Sequence, residues 1–326
     1  MGPKSNRSLF WPIVLIGVGV IWLLGAMGVI PNANFAVLLS LWPIVLIIIG
    51  LDILIGRKSA FGGAIVGLLA VALVAFALIA GPSLGLATSG TLKTEALASE
   101  IGEAVTADIN INFSSQPVSM VALDDKTSLL KGEIDYYGTL RYVESGSTSR
   151  RITLEQVSSG TWSIPWDPNA SWDISLTPYL PIGLTLDGGS GSADLDLSQL
   201  RLTAFAIDQG SGSLRLRLPS STQAYTANIE GGSGSLNLSL PADGDLTVYL
   251  DGGSGGINID IPDGTAVKLE IRDAGSGSVN VPQRLKTVRV NDTGKEGKWE
   301  TDGFGQAAHK LVIICGDLGS GSFNIH

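Results

Sequence analysis

The sequence predicts an N-terminal bundle of three transmembrane helices followed by an all-β domain, a β-solenoid (β-helix) with coils of about 22 residues. Three observations lead to this prediction. Three apolar runs lie within residues 1–90. Gly-Ser-Gly recurs at a nearly constant interval through residues 189–326, and alternating apolar and polar residues follow each recurrence. We interpret the segment between them, residues 91–188, as an irregular β region that caps the solenoid.

Each apolar run is long enough to cross a bilayer as a helix, since about 20 residues suffice. The runs cover residues 10–30, 35–55 and 61–80. A cleaved signal peptide is the rival interpretation of the first run, but that run is too long and two more follow it. Asp52 is the one charged residue within the runs. We interpret it as an interfacial residue near Arg57 and Lys58 rather than a functional intramembrane acid.

Basic residues around the runs predict their orientation. Lys4 and Arg7 precede the first run, and residues 31–34 between the first and second runs carry no base. Arg57 and Lys58 lie between the second and third runs. The positive-inside rule then places the N-terminus in the cytoplasm and, after three crossings, the β domain outside it. The alternative is that the third run lies on the membrane, which would leave the β domain in the cytoplasm.

The charge of the chain divides in the same place. Residues 1–90 carry four bases and one acid, a net charge of +3, whereas the remainder carries 17 bases and 29 acids, a net charge of −12. An acidic domain repels phosphate backbones, so nucleic acid is not expected as a partner. The single cysteine, Cys315, cannot form an intrachain disulfide, so packing alone must hold an external domain together.

The Gly-Ser-Gly repeat sets the coil length. Its first glycines are Gly189, Gly210, Gly232, Gly253, Gly275 and Gly319. The intervals are 21 or 22 residues except the last, which is 44, so one coil near Gly297 is expected to have lost its signature. A half-buried strand follows each signature, as in Leu214-Arg-Leu-Arg217, and a second strand returns before the next. Glycine suits the sharp turns between coils because it reaches positive φ without a clash.

Stacked coils bring equivalent polar residues together. We expect Asp194 beside Arg215 and Asp196 beside Arg217. We also expect a hydrogen-bonded ladder of asparagines, formed by Asn237, Asn258, Asn280 and Asn324. We interpret these rows as devices that set the register rather than as a binding site. Calcium is not expected, because the period is not that of the calcium-binding nonapeptide and the aspartates do not recur.

Aromatic residues cluster just before the first full repeat, at Trp162, Trp166, Trp172 and Tyr179. One interpretation is an aromatic platform for a sugar. The other, which we favour, is a cap that covers the first open coil. The three tryptophans are therefore the candidate ligand surface that the sequence offers.

The sequence predicts no catalytic, cofactor-binding or metal-binding residues, and hence no enzyme. Two histidines, His309 and His326, accompany Cys315, and no spacing suits zinc or a catalytic triad. Cys315 falls in register with Ile271 on the apolar face, so we expect it in the core. A glycosidase that uses a carboxylate pair stays open as an alternative, although no pair of acids stands out.

The segment Trp-Pro-Ile-Val-Leu-Ile occurs at Trp11 and again at Trp42, where Gly-Leu-Asp follows. This pattern resembles the membrane region of LiaF-type bacterial envelope proteins. Residues 101–322 resemble toast-rack and adhesin-like β-solenoid domains, through Glu103–Asn112, Leu130–Tyr136, Trp172–Gly191 and the later Gly-Ser-Gly coils. The resemblance implies a bacterial envelope protein.

Two roles stay open. The predicted topology and the lack of a catalytic cluster favour a β domain that binds a cell-surface glycan or another surface partner. The resemblance implies instead that the membrane helices modulate a sensor kinase of the envelope stress response. Family members often have four crossings and a cytoplasmic C-terminal domain, whereas three crossings are predicted here. The lipid bilayer is the remaining partner, and the glycines of the first run leave self-association open.

Overall fold

The computed structural model describes residues 9–27, 42–54, 60–80, 92–113, 116–157 and 170–326. These residues fall into two compact units, one that contains the helices and one that contains the β strands.

Three helices occupy the described part of the N-terminal unit, in agreement with the sequence. They are α1 (Phe10–Ala26), α2 (Trp42–Leu54) and α3 (Ala60–Ala80). α3 contains an apolar stretch, Phe61–Leu78, that is long and apolar enough to span a membrane, while the apolar stretches of α1 and α2 are shorter. Residues 28–30 and 35–41, which the sequence assigned to the first two runs, lie outside the described residues.

Glycines allow α1 and α3 to pack closely. A Cβ atom on Gly17 would overlap the side chain of Val71, and one on Gly67 would lie 3.2 Å from the carbonyl oxygen of Phe10. Small residues at such contacts let helix backbones approach. Asp52 on α2 is 8% exposed within this unit. Its expected partners, Arg57 and Lys58, lie outside the described residues.

Two long sheets form the β domain, which confirms the all-β solenoid class. Among the described residues the first sheet has ten strands, in the order β1 (Lys93–Glu100), β4 (Ser128–Tyr136), β7 (Trp172–Leu176), β3 (Val118–Ala122), β9 (Ala193–Asp196), β11 (Leu214–Arg217), β13 (Leu236–Ser239), β15 (Ile257–Asp260), β21 (Phe323–Ile325) and β17 (Val279–Asn280). The second has eleven in the same part of the chain, in the order β18 (Leu285–Val290), β19 (Gly297–Thr301), β16 (Val267–Asp273), β20 (Leu311–Asp317), β14 (Leu246–Asp251), β12 (Tyr225–Glu230), β10 (Arg201–Asp208), β8 (Pro181–Gly188), β2 (Thr106–Phe113), β6 (Ser149–Val157) and β5 (Thr139–Ser145).

From β8 to β15 the chain alternates between the two sheets, and neighbouring strands are parallel. Leu214 pairs with Leu236, and Leu236 pairs with Ile257. Because side chains alternate along a strand, these apolar residues all point between the sheets. They form one continuous core, in which Leu216, Leu238 and their equivalents are fully buried. Burying each such side chain contributes about 1.5–3 kcal/mol relative to leaving it exposed.

The C-terminal end departs from the sequence order. β20 lies between β14 and β16, and β21 lies between β15 and β17, so the last coil in sequence is inserted before the preceding one. The prediction of a coil near Gly297 that lost its signature is wrong. Residues 285–301 instead form the antiparallel hairpin β18–β19 at the edge of the second sheet, where β19 pairs with β16. The 44-residue interval therefore contains an edge hairpin rather than a coil without the Gly-Ser-Gly signature.

The N-terminal end is rearranged in the same way. β2 lies between β8 and β6, and β3 lies between β9 and β7. Antiparallel strands then finish both sheets, with β1 and β4 beside β7 and with β5 beside β6. Edge strands expose unpaired backbone groups, and short or irregular antiparallel strands are a common way to limit pairing with other chains.

The glycines of the repeat are needed mainly because the coils approach closely. A Cβ atom on Gly232 would overlap the carbonyl oxygen of Gly210 in the neighbouring coil, and one on Gly212 would overlap that of Gly191. Of the six first glycines, Gly210, Gly275 and Gly319 have positive φ, between 58° and 65°. Positive φ, the reason expected from the sequence, thus applies to only some of the turns.

Candidate functional site

A groove of about 440 Å³, lined by polar side chains and by apolar atoms, crosses the outer face of the first sheet. We name it the polar groove after those side chains. Five adjacent strands each contribute one polar side chain to it: Asp173 from β7, Ser119 from β3, Asp194 from β9, Arg215 from β11 and Asn237 from β13. Three further serines line the groove where the chain enters the strands, namely Ser171, Ser192 and Ser213.

The register of the sheet explains how these residues meet. Asp173 pairs with Ser119, Ser119 with Asp194, Asp194 with Arg215, and Arg215 with Asn237. Each is the second residue of its strand and points away from the core, because side chains alternate between the two faces. Neighbouring strands lie about 4.8 Å apart, so the five side chains form a continuous row.

Two ion pairs follow the expected register. Arg215 Nη1 donates to Asp194 Oδ2 at 3.0 Å, and Arg217 Nη1 donates to Asp196 Oδ2 at 2.9 Å. The Ser198 hydroxyl, followed by Arg217, holds the pKa of Asp196 below its usual value. These side chains are largely exposed, so each pair is worth roughly 0–1 kcal/mol. The expected pairing is therefore confirmed, and the role of these pairs in setting the register stays a prediction.

The asparagine ladder is present and runs in spatial order. Asn258 Nδ2 donates to Asn237 Oδ1 at 3.1 Å, and Asn324 Nδ2 donates to Asn258 Oδ1 at 3.1 Å. Asn280 Nδ2 donates to Asn324 Oδ1 at 2.7 Å. Asn324 therefore stands between Asn258 and Asn280, because β21 is inserted between β15 and β17.

Several polar atoms in the groove have no partner among the described residues. They are the side-chain Nδ2 atom of Asn237, the Nη2 atom of Arg215 and the hydroxyl groups of Ser119 and Ser192. The carboxylate of Asp173 accepts one hydrogen bond, from Ser171 at 3.0 Å, and has further lone pairs. The groove thus presents both donors and acceptors.

The tryptophan cluster does not form this site. Trp172 is 0% exposed, and its Nε1 donates to the backbone oxygen of Asp135 at 2.9 Å. As the inward-facing first residue of β7, it cannot present its ring to a surface ligand, so the ligand-surface assignment is wrong for Trp172. Trp162 and Trp166 lie outside the described residues and stay a prediction. Tyr179 is 45% exposed, with Lys126 Nζ 5.9 Å from its ring centroid.

One row on the outer face of the second sheet is acidic. Asp187, Asp208, Glu230 and Asp251 occupy equivalent positions on four adjacent strands. No ion pair to any of them occurs among the described residues. Like charges at opposed positions repel one another. This row contrasts with the neutralised rows of the first sheet.

A polar network closes the N-terminal end of the domain. The Glu144 carboxylate accepts hydrogen bonds from Ser99 Oγ at 2.9 Å, from Tyr142 Oη at 2.7 Å and from Arg150 Nη1 at 2.8 Å. Burial, followed by the hydrogen bond to Glu144, raises the pKa of Tyr142 to about 12. The three donors satisfy the Glu144 carboxylate, so we interpret the network as part of the cap.

Outside the groove, the candidate reactive or metal-binding groups are Cys315 and the histidine, aspartate and glutamate side chains. Cys315 is fully buried in register with Ile271, as expected, and burial raises the pKa of its thiol. Within the described ranges, no group of three or more histidine, cysteine, aspartate or glutamate side chains is placed to hold a metal ion.

Two family models match adjoining parts of the chain. The LiaF transmembrane domain matches residues 10–89, and the N-terminal domain of toast_rack matches residues 88–239. Among curated proteins, no significant match to the chain is found.

Solved structures resemble the β domain. A candidate cell adhesion protein from Clostridium sporogenes ATCC 15579 matches with a TM-score of 0.52 and 20% identity, over 72% of this chain and 99% of that chain. A candidate adhesin from Bacteroides fragilis NCTC 9343 matches with a TM-score of 0.33 and 13% identity, over 72% and 97%. At these identities the first likeness shows the fold alone, and the second carries no argument.

The apolar helices and the two family-model matches indicate a membrane-anchored envelope protein, and the first solved structure supports the solenoid fold of its β domain. The chain thus combines a segment that matches the LiaF transmembrane domain with one that matches the N-terminal domain of toast_rack.

Proposed function

We propose that this protein is a non-enzymatic envelope protein whose β domain lies outside the cytoplasm and binds a surface polymer or partner. The observation that carries the proposal is the polar groove, where donors and acceptors that have no protein partner among the described residues lie in register on five paired strands. Sites on strands hold their side chains more precisely than sites on loops.

The proposal includes coils of about 22 residues as the repeating unit. Pairings such as Leu214 with Leu236, or Arg215 with Asn237, support this length. A repeating unit of constant length presents the same row of polar positions on every coil, which suits contact with an extended ligand.

The external location rests on charge and on crossing number. Lys4, Arg7, Arg57 and Lys58 are placed on the cytoplasmic side by the positive-inside rule, and an odd number of crossings puts the β domain on the other side. The length of Phe61–Leu78 supports α3 as one of the crossings.

Protease treatment of spheroplasts tests the location. The proposal expects external protease to digest the region after Ala80 while the membrane helices survive. Cys315 offers a second readout, because an impermeant maleimide should label it from outside only after the domain is unfolded by external urea. Full protection from protease until lysis would place the domain in the cytoplasm and refute this part of the proposal.

Binding to the envelope tests the function itself. Full-length protein in nanodiscs should be retained on isolated envelope fragments. Because the β domain is acidic and repels polyanions, this retention should depend little on the phosphate-rich polymers in the fragments. The absence of retention on any envelope fraction would refute the adhesive role.

A second function, modulation of an envelope stress-response sensor kinase, is favoured by the match of residues 10–89 to the LiaF transmembrane domain. Under this alternative the helices contact the kinase and the β domain is dispensable for that contact. Co-purification of a histidine kinase from gently solubilised membranes would support this alternative. The kinase should be lost when Gly17→Leu disturbs α1 and should be kept in groove variants. A kinase that is absent from the purified material would count against it.

A further inference from the structure

We infer that the polar groove binds a neutral, hydroxyl-rich polysaccharide that lies across the strands of the first sheet. This inference rests on the proposed adhesive function and names the class of polymer. The row from Asp173 to Asn237 runs perpendicular to the strands, so a linear polymer placed along it meets a new side chain on each coil.

The lining matches the chemistry of sugar hydroxyl groups. A hydroxyl group both donates and accepts, and the groove offers both functions at short spacing. Arg215 Nη2 and Asn237 Nδ2 are donors without a protein partner among the described residues, and the Asp173 carboxylate has lone pairs to spare. Ser119 and Ser192 add hydroxyl groups, each of which can donate or accept a hydrogen bond.

Charge separates neutral polymers from anionic ones. Asp194 neutralises Arg215 within the groove, which leaves the carboxylate of Asp173 as the net charge of the row. The β region as a whole carries −12, and the field of such a domain disfavours approach of a polyanion. The guanidinium group is therefore available as a hydrogen-bond donor rather than as an anchor for phosphate or sulfate.

The groove begins where the asparagine ladder ends, at Asn237. The side chains of Asn258 and Asn324 each donate one hydrogen bond to one neighbouring asparagine and accept one from the other. Both ends of these side chains therefore have a partner in the ladder. At the groove end the ladder stops at Asn237, whose side-chain Nδ2 has no partner among the described residues. The side chains whose hydrogen bonds are made within the ladder thus give way, at the groove, to side chains with atoms that have no partner among the described residues.

A steric block tests the inference in the full chain. Ser192 and Ser278 are both exposed and occupy the same position, immediately before β9 and β17, but only Ser192 lines the groove. Full-length protein in phosphatidylcholine nanodiscs is titrated by calorimetry with a soluble glucan and an N-acetylglucosamine hexamer, and with heparin as the polyanion. We expect a neutral glycan to bind, Ser192→Arg to weaken that binding at least tenfold, and Ser278→Arg to change it less than twofold.

The outcomes separate the two proposals. Equal glycan affinity in Ser192→Arg, or preference for heparin, overturns the groove assignment. Retention on envelope fragments without binding to either neutral glycan overturns the inference and leaves the adhesive function standing, whereas loss of both overturns both. Melting curves check that the variants fold, and Ser213→Arg on the next strand repeats the block if Ser192→Arg does not fold.

Discussion

Replacing Trp172 with alanine tests whether the N-terminal strands act as a cap. The side chain is completely buried, between Val118 on one neighbouring strand and Ile134 on the other. Its removal leaves a cavity and deprives the Asp135 carbonyl of the indole N–H donor. Truncation of a buried tryptophan typically costs about 3–5 kcal/mol.

The matched control is Trp172→Phe. This variant keeps most of the buried ring but lacks the N–H donor, so we expect a loss of about 1 kcal/mol from the hydrogen bond, with a smaller addition from incomplete packing. The difference between the two variants then isolates the contribution of the cavity.

Urea unfolding of the full chain in detergent micelles, followed by circular dichroism in the β region, measures both effects. A shift in the midpoint with an unchanged slope reports a change in stability rather than in the extent of unfolding. If Trp172→Ala unfolds within about 0.5 kcal/mol of the parent chain, the side chain is not part of the packed cap. Normal unfolding together with lost glycan binding would restore the platform interpretation.

Two further perturbations test the coil spacing and the capping network. Gly232→Ala should lower stability by roughly 1–3 kcal/mol or more, because its Cβ atom overlaps the carbonyl oxygen of Gly210. The control is Gly305→Ala, whose Cβ atom meets no atom within 4 Å. Equal urea midpoints for the two variants would contradict the reasoning. For Tyr142, whose folded-state pKa is about 12 against an ordinary value of 10.0, the unfolded chain loses the phenolic proton first. Its contribution to stability is therefore complete below pH 10 and is lost as the pH rises towards 12. Urea midpoints measured across this window should fall less steeply in Tyr142→Phe, and parallel curves would show that the network does not hold the proton.

Period-two alternation and the Gly-Ser-Gly interval were sufficient to predict much of this protein. They predicted parallel coils around one apolar core, the Asp194–Arg215 pair, and Cys315 in register with Ile271. These features are local consequences of repetition, because stacking coils of nearly equal length brings equivalent positions together. The three apolar helices follow from composition in the same way.

Trp172 and the groove needed the tertiary structure. An indole has an apolar ring and a polar N–H group, so it suits both a buried cap and an exposed platform. Only the hydrogen bond to Asp135 and the complete burial decide between them. The groove joins Ser119, Asp173 and Asp194, which meet because β3 lies between β7 and β9. That order is not the order of the chain.

The same reason applies at the C-terminal end. β16 and β20 carry the same apolar alternation, so either can pair with β14 by local pattern alone. Tertiary structure places β20 beside β14 and leaves β16 to pair with the edge strand β19. A repeat determines what each coil can stack upon, whereas the order of the coils depends on which arrangement also covers the open ends of the sheets.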